Sequence, residues 1–187
     1  MAGDVRRVYV WDRVVRLCHI LLIIGVISAY ISHELDLMTW HMWNGYTIAA
    51  VLVLRIIWGF AGTENARFAS FLTAPRRVWE YVTTWPQQAV PLGHNPLGGY
   101  AVLALLGALL VQVTTGLFST SDEVAEGPFY QYISYDAGEW LTDMHEANFF
   151  YILLPLIALH IAAIIVYWRV KRANLVTPMI TGYKKIS

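Results

Sequence analysis

Charge is what this sequence has least of. Only 14% of its 187 residues are Asp, Glu, Lys or Arg, where a soluble domain carries about 25%. Thirteen cations and thirteen anions cancel, and together they make too thin a polar coat for a soluble globule of this size. Cysteine is nearly missing as well: a single one excludes a disulfide framework, and the absence of Cys-x-x-Cys-His excludes covalent c-type haem attachment. No Glu-x-x-His pair lies on an apolar run, so a di-iron carboxylate centre is excluded too. No internal repeat or low-complexity stretch is present. Disorder is ruled out by what takes their place, eight Trp, eleven Tyr and seven Phe among long aliphatic runs.

Those runs are the main signal. Charge-free windows cover 17–33, 92–121 and 147–168, and a fourth, 38–60, is interrupted only by Arg55. About 20 apolar residues at about 1.5 Å each cross the hydrocarbon core. The expected spans are therefore about 14–32, 41–60, 96–119 and 147–168, with Arg16 snorkelling to the headgroups. All thirteen Lys and Arg precede the first span, lie between the second and third (Arg55 just inside), or follow the fourth. The segments 33–40 and 120–146 hold none, and carry Glu34, Asp36, Asp122, Glu123, Glu126, Asp136, Glu139, Asp143 and Glu146 instead. Cytoplasmic loops concentrate Lys and Arg. The expectation is one all-α membrane domain over 1–187, a four-transmembrane-helix bundle with both termini cytoplasmic. The first span has no clear small-x-small cleavage site and is read as retained. Segment 75–85, with Arg76, Arg77, Trp79, Tyr81 and Trp85, suits a short amphipathic helix at the inner interface, either sealing the bundle or forming a lip for a lipid-soluble substrate.

Ionisable residues inside a membrane are costly and mark function. His19 lies about one turn into the first span on the inner side, and His41 opens the second on the outer side. His145 precedes the fourth span, and His160 lies towards its inner half. Fifteen residues separate the last two; at about 100° per residue they share a face within about 60°, about 22 Å apart in height. His19 then matches His160 in depth, and His41 matches His145. Two depth-matched pairs are what two bis-histidine haem b groups require. Gly25, Gly45, Gly98, Gly99, Gly107 and Gly116 offer places without a Cβ where a macrocycle fits, although close helix packing in lipid favours glycine as well. Arg55, about 21 Å below His41 along its helix, is level with the inner haem and suits a propionate; a snorkelling role at the boundary is the alternative. His33 could replace His41, but no glycine follows it. His94, among Gly93, Asn95 and Pro96, is a loop or capping residue, or else a proton relay or quinone contact.

His41-x-x-x-Gly45 with Arg55 ten residues on, Trp11-Asp12-Arg13 leading to His19, His145-Glu146 running to Ala158-Leu159-His160, and the tail Asn174-Leu175-Val176 to Ile180-Thr181-Gly182 together resemble the prokaryotic cytochrome b561 and nickel-hydrogenase b-type cytochrome family. The resemblance covers nearly the whole chain. It implies a multi-pass cytochrome of the bacterial inner membrane with two haem b groups, moving electrons between a periplasmic partner and the quinone pool. His19 and His160 would hold the inner haem, His41 and His145 the outer. One departure stands out: the family's paired histidines of the last helix are fourteen residues apart, and here they are fifteen. Pro155 lies between them and removes the bond to Tyr151. A one-residue π-bulge there would absorb the extra step.

The seven carboxylates from Asp122 to Glu146 face no Lys or Arg and suit a basic partner such as a c-type cytochrome. Lipid and quinone complete the expected partners. A second copy of the chain is a further candidate, and nothing calls for nucleic acid. Two other functions compete. A superoxide:quinone oxidoreductase would want basic steering outside, which is lacking. A copper protein would use Met38, His41, Met42, Met144 and His145, but leaves His19 and His160 unexplained.

Overall fold

The structure, a computed structural model, describes residues 6–121 and 125–186. Among them a short strand β1 (Arg6–Tyr9) leads into α1 (Arg13–Glu34), α2 (Met38–Ala61), the single turn α3 (Phe68–Phe71), α4 (Pro75–Thr83) and α5 (Pro96–Phe118). Two-residue strands β2 (Thr120–Ser121) and β3 (Ala125–Glu126) follow. Next come α6 (Tyr135–Asn148), a π-helical turn (Phe149–Leu153), α7 (Leu154–Lys171), α8 (Val176–Thr181) and β4 (Tyr183–Ile186). Four helical runs are long and apolar enough to cross a membrane: Arg13–Glu34, Met38–Ala61, Pro96–Phe118 and Tyr135–Lys171. Only 6% of the fourth run's most apolar window is buried within the protein, so its surface is made for lipid rather than water. This is an all-α, multi-pass membrane protein.

The helix ends follow from local chemistry. Asp12 caps α1, its carboxylate accepting the Val15 N–H at 2.9 Å. Asn95 caps α5 by accepting the Gly98 N–H at 2.6 Å, with Pro96 at the first helical position. Ser134 caps α6 through the Ala137 N–H at 3.3 Å, and Asp136 sits in the first turn, where the helix dipole favours an anion. That cap starts the fourth helical run at Tyr135, twelve residues ahead of the apolar window, because α6 is helical but polar. Gly182 closes α8 in the left-handed conformation, φ 88°, where a Cβ would stand 2.8 Å from the Tyr9 ring.

The chain packs as two compact units. The first comprises 1–17, 55–103 and 158–187, the second 18–54 and 104–157. In the first, β1 and β4 pair antiparallel, Arg7 opposite Lys185 and Tyr9 opposite Tyr183. The Gly182 carbonyl accepts the Val10 and Trp11 N–H groups. Val10, Trp11, Val15 and Ala66 form its core, with Trp58 and Met179 against them. Buried Asp12 ties this core together, accepting from Trp58 Nε1 at 3.1 Å and Thr63 Oγ1 at 2.5 Å. Burial alone would raise the Asp12 carboxyl; bonds from Thr63, Val15, Trp58 and Val14 more than offset that and hold it below its usual value. α4 exposes Arg76, Arg77 and Trp79 and buries Tyr81, whose hydroxyl meets that of Tyr167, itself accepting from Asn95 Nδ2 at 2.6 Å. Burial first, then Tyr167, pushes the Tyr81 phenol well above its usual range. In the second unit Cys18, Ile48, Leu52, Ala108, Leu109 and Leu153 are buried.

Candidate haem site

His41 sits one turn into α2 because Leu37, just before the helix, accepts its N–H at 3.0 Å. His145 comes from the last turn of α6. Both are half-buried, and their rings lie 6.1 Å apart at 80°. Each imidazole spends its Nδ1 on the backbone of a neighbouring helix. His41 Nδ1 is 2.9 Å from the Ala29 carbonyl, and His145 Nδ1 is 2.9 Å from the Gln112 carbonyl with Thr115 Oγ1 at 3.2 Å. An Nδ1–H donated to a carbonyl fixes the tautomer and leaves Nε2 for a metal, the usual arrangement behind a ligating histidine. A metal–imidazole bond of about 2.0–2.1 Å plus about 1.2 Å from nitrogen to ring centre, taken twice, gives about 6.4 Å between rings. The observed 6.1 Å comes close to that separation.

Around the pair is an apolar cleft of about 240 Å³, lined by Tyr30, Met42, Gly45, Gly116, Phe149 and Leu153 among others. An apolar cavity of about 150 Å³ already admits a benzene ring. Two glycines shape it. A Cβ on Gly45 would meet nothing within 4 Å, so the space over it is open. A Cβ on Gly116 would stand 2.8 Å from His145 Cε1 and 3.0 Å from its Nδ1. Tyr30 and Phe149 stack at 5.5 Å in the same wall. Donor set, tautomers and cleft suit a planar metal macrocycle.

Behind His145 is a residue that spacing alone did not single out. Asn148, 5% exposed, gives its amide N–H bonds to the Ala108 carbonyl at 3.0 Å and to Gln112 Oε1 at 2.6 Å. It ties α6 to the turn of α5 whose carbonyl holds His145, and the π-helical turn starts at the next residue. That turn ends two residues before Pro155, on the stretch where the fifteen-residue step from His145 to His160 asked for one. A polar residue one turn after a candidate ligand was the available signal.

His33 stands exposed beside this pair, 5.7 Å from the His41 ring. His19 on α1 and His160 on α7 are each half-buried and belong to different units. Arg55, 6% exposed, stacks over Phe68 at 5.4 Å and donates towards the Ala66 carbonyl at 3.4 Å in the first unit. His94 lies in that unit between Trp11 and Phe71. Burial first, then the charges of Arg55 and His160, pushes its imidazole down to about 4. Of the expected outer carboxylates, Asp122 and Glu123 fall outside the described residues. Among the described residues no group of three or more His, Cys, Asp or Glu gathers as a metal cluster.

The family model of prokaryotic cytochrome b561 matches residues 10–182. No curated protein and no solved structure gives a significant match. The chain belongs to the prokaryotic cytochrome b561 family, membrane proteins that bind b-type haem and transfer electrons.

Proposed function

With membership of that family as the premise, we propose that the chain is a single diheme b-type cytochrome domain of a bacterial inner membrane, carrying electrons between a periplasmic redox protein, such as a c-type cytochrome, and the quinone pool. The observation that carries this reading is the His41–His145 pair, 6.1 Å apart with both Nδ1 atoms on backbone carbonyls. Haem b, when bound, supplies a one-electron iron couple. The chain's own residues do the rest. His41 and His145 hold the outer iron, and Gly45 leaves room for the ring edge. Gly116 lets the His145 imidazole lie against α5. His19 and His160 hold the inner iron by the same chemistry, and the π-helical turn absorbs the one residue by which the His145–His160 spacing exceeds that of the family. Arg55 pairs with an inner propionate.

The charge map supports the orientation in the membrane. Every Lys and Arg lies in segments of the first unit, and the segments of the second hold nine carboxylates and no Lys or Arg. By the excess of Lys and Arg in cytoplasmic loops, the segments that carry them face the cytoplasm and the acidic loops 33–40 and 120–146 face the periplasm. A basic periplasmic protein is the partner such a surface attracts, and an anionic substrate such as superoxide finds no steering there. The test is kinetic. Protein reduced by a quinol analogue should pass electrons to a basic c-type cytochrome at a rate that falls as salt rises. A quinol that leaves the protein oxidised, or a rate indifferent to salt, contradicts the proposal.

A further inference from the structure

His94 is a half-buried histidine to which the proposed function gives no role. The Asn95 cap and Pro96 at the start of α5 fix it two residues ahead of that helix. Its ring lies 4.6 Å from Trp11, tilted 59°, and 4.6 Å from Phe71, tilted 53°. Both aromatics are buried, so the imidazole plane is set by rigid neighbours. Its Nδ1 is buried and has no hydrogen-bond partner among the described residues. Leaving such an atom unpaired costs about 1–3 kcal/mol, and a buried orphan of this kind asks for a ligand.

The surroundings say which kind. The charges that act on the ring are those of Arg55 and His160. Arg55 is itself buried, and the positive end of the α5 dipole begins two residues on from His94. An acceptor at Nδ1 would meet an imidazole N–H, with the charge of a guanidinium and a helix N-terminus nearby to favour negative charge. A neutral carbonyl would satisfy Nδ1 but would not call for the guanidinium.

We propose that His94 and Arg55 together hold one carboxylate, a propionate of the haem b bound by His160. The inference rests on the diheme reading above. The full-length protein is first assayed for haem per chain. Redox titrations and redox-induced infrared difference spectra with ¹³C-labelled haem propionates are then recorded for wild type, His94→Leu and His94→Gln. Losing an N–H to a propionate favours the oxidised iron. His94→Leu should therefore lower the reduction equilibrium of one haem three- to tenfold, tenfold being about 59 mV for one electron. It should also shift that haem's propionate bands and leave the other haem alone, and His94→Gln, which keeps an N–H donor, should recover part of the change. If His94→Leu fails to assemble, exchanging imidazole for amide in His94→Gln still moves the same bands. Two haems with unchanged midpoints and bands, or an effect confined to KM for quinol, would overturn this inference alone. A single haem per chain would overturn the diheme reading and this inference with it.

Discussion

Gly116 and Gly45 work in opposite ways on the same cleft, and that separates fold from cofactor. At Gly116 a methyl group would push against the His145 ring. Gly116→Ala should cost about 1–3 kcal/mol by overpacking and weaken haem retention, measured as haem per chain after gel filtration. At Gly45 the protein has room. Gly45→Val should keep the helical circular dichroism of the wild type and lose haem; full haem content there would mean the ring lies elsewhere. Asp12 acts on the fold alone. Asp12→Ala removes the α1 cap and strands the Trp58 and Thr63 donors, a loss of about 2–4 kcal/mol visible as a lower Tm in detergent. Its carboxyl is held below the unfolded value of about 3.9. Its stabilisation is therefore present above that pH and lost as pH falls through the folded value. Asp12→Asn should flatten that acid limb, and an unchanged acid limb would contradict the assignment. At this scale a period of 3.6 residues and four span boundaries give each histidine an expected depth, and of the two expected pairs the structure brings His41 and His145 together. Their Nδ1 partners were not, because backbone carbonyls on another helix leave no mark in composition.

Among the elements, the π-helical turn is the one whose need could be read beforehand, from one residue too many between His145 and His160 and a proline that breaks the hydrogen-bond ladder at Tyr151. Deleting Ile152 should convert Phe149–Leu153 to ordinary α-helix and restore the family spacing, with both haems retained. Loss of either on deletion would mean that the π-turn does more than absorb the insertion. Other elements were harder to read. α6 carries Asp136, Glu139, Asp143 and Glu146, so an apolar-run reading starts the fourth helix near 147, and only the Ser134 cap shows that the helix begins earlier. The β1–β4 ribbon joins four residues near each end of the chain, and segments that short have no period to detect.

Across the whole molecule, charge follows the packing units: all Lys and Arg lie in segments of one, and none lie in the other. That division was legible from the first count of loop charges, whereas the assignment of residues to compact units was not, since it cuts through the spans. If the proposed outer haem is held by His41 and His145, its unit offers its propionates no Lys or Arg and they would take protons or neutral donors, so its midpoint potential should fall as pH rises between 6 and 9. A flat titration would show that some other group neutralises them. Beneath all of this lies the claim that His41 and His145 share one iron. Haem per chain by pyridine haemochromogen, compared between wild type and His145→Ala, tests it most directly. The account expects two haem b falling to one, with the surviving haem's spectrum unchanged. Haem content unaltered by His145→Ala in a folded protein would contradict it.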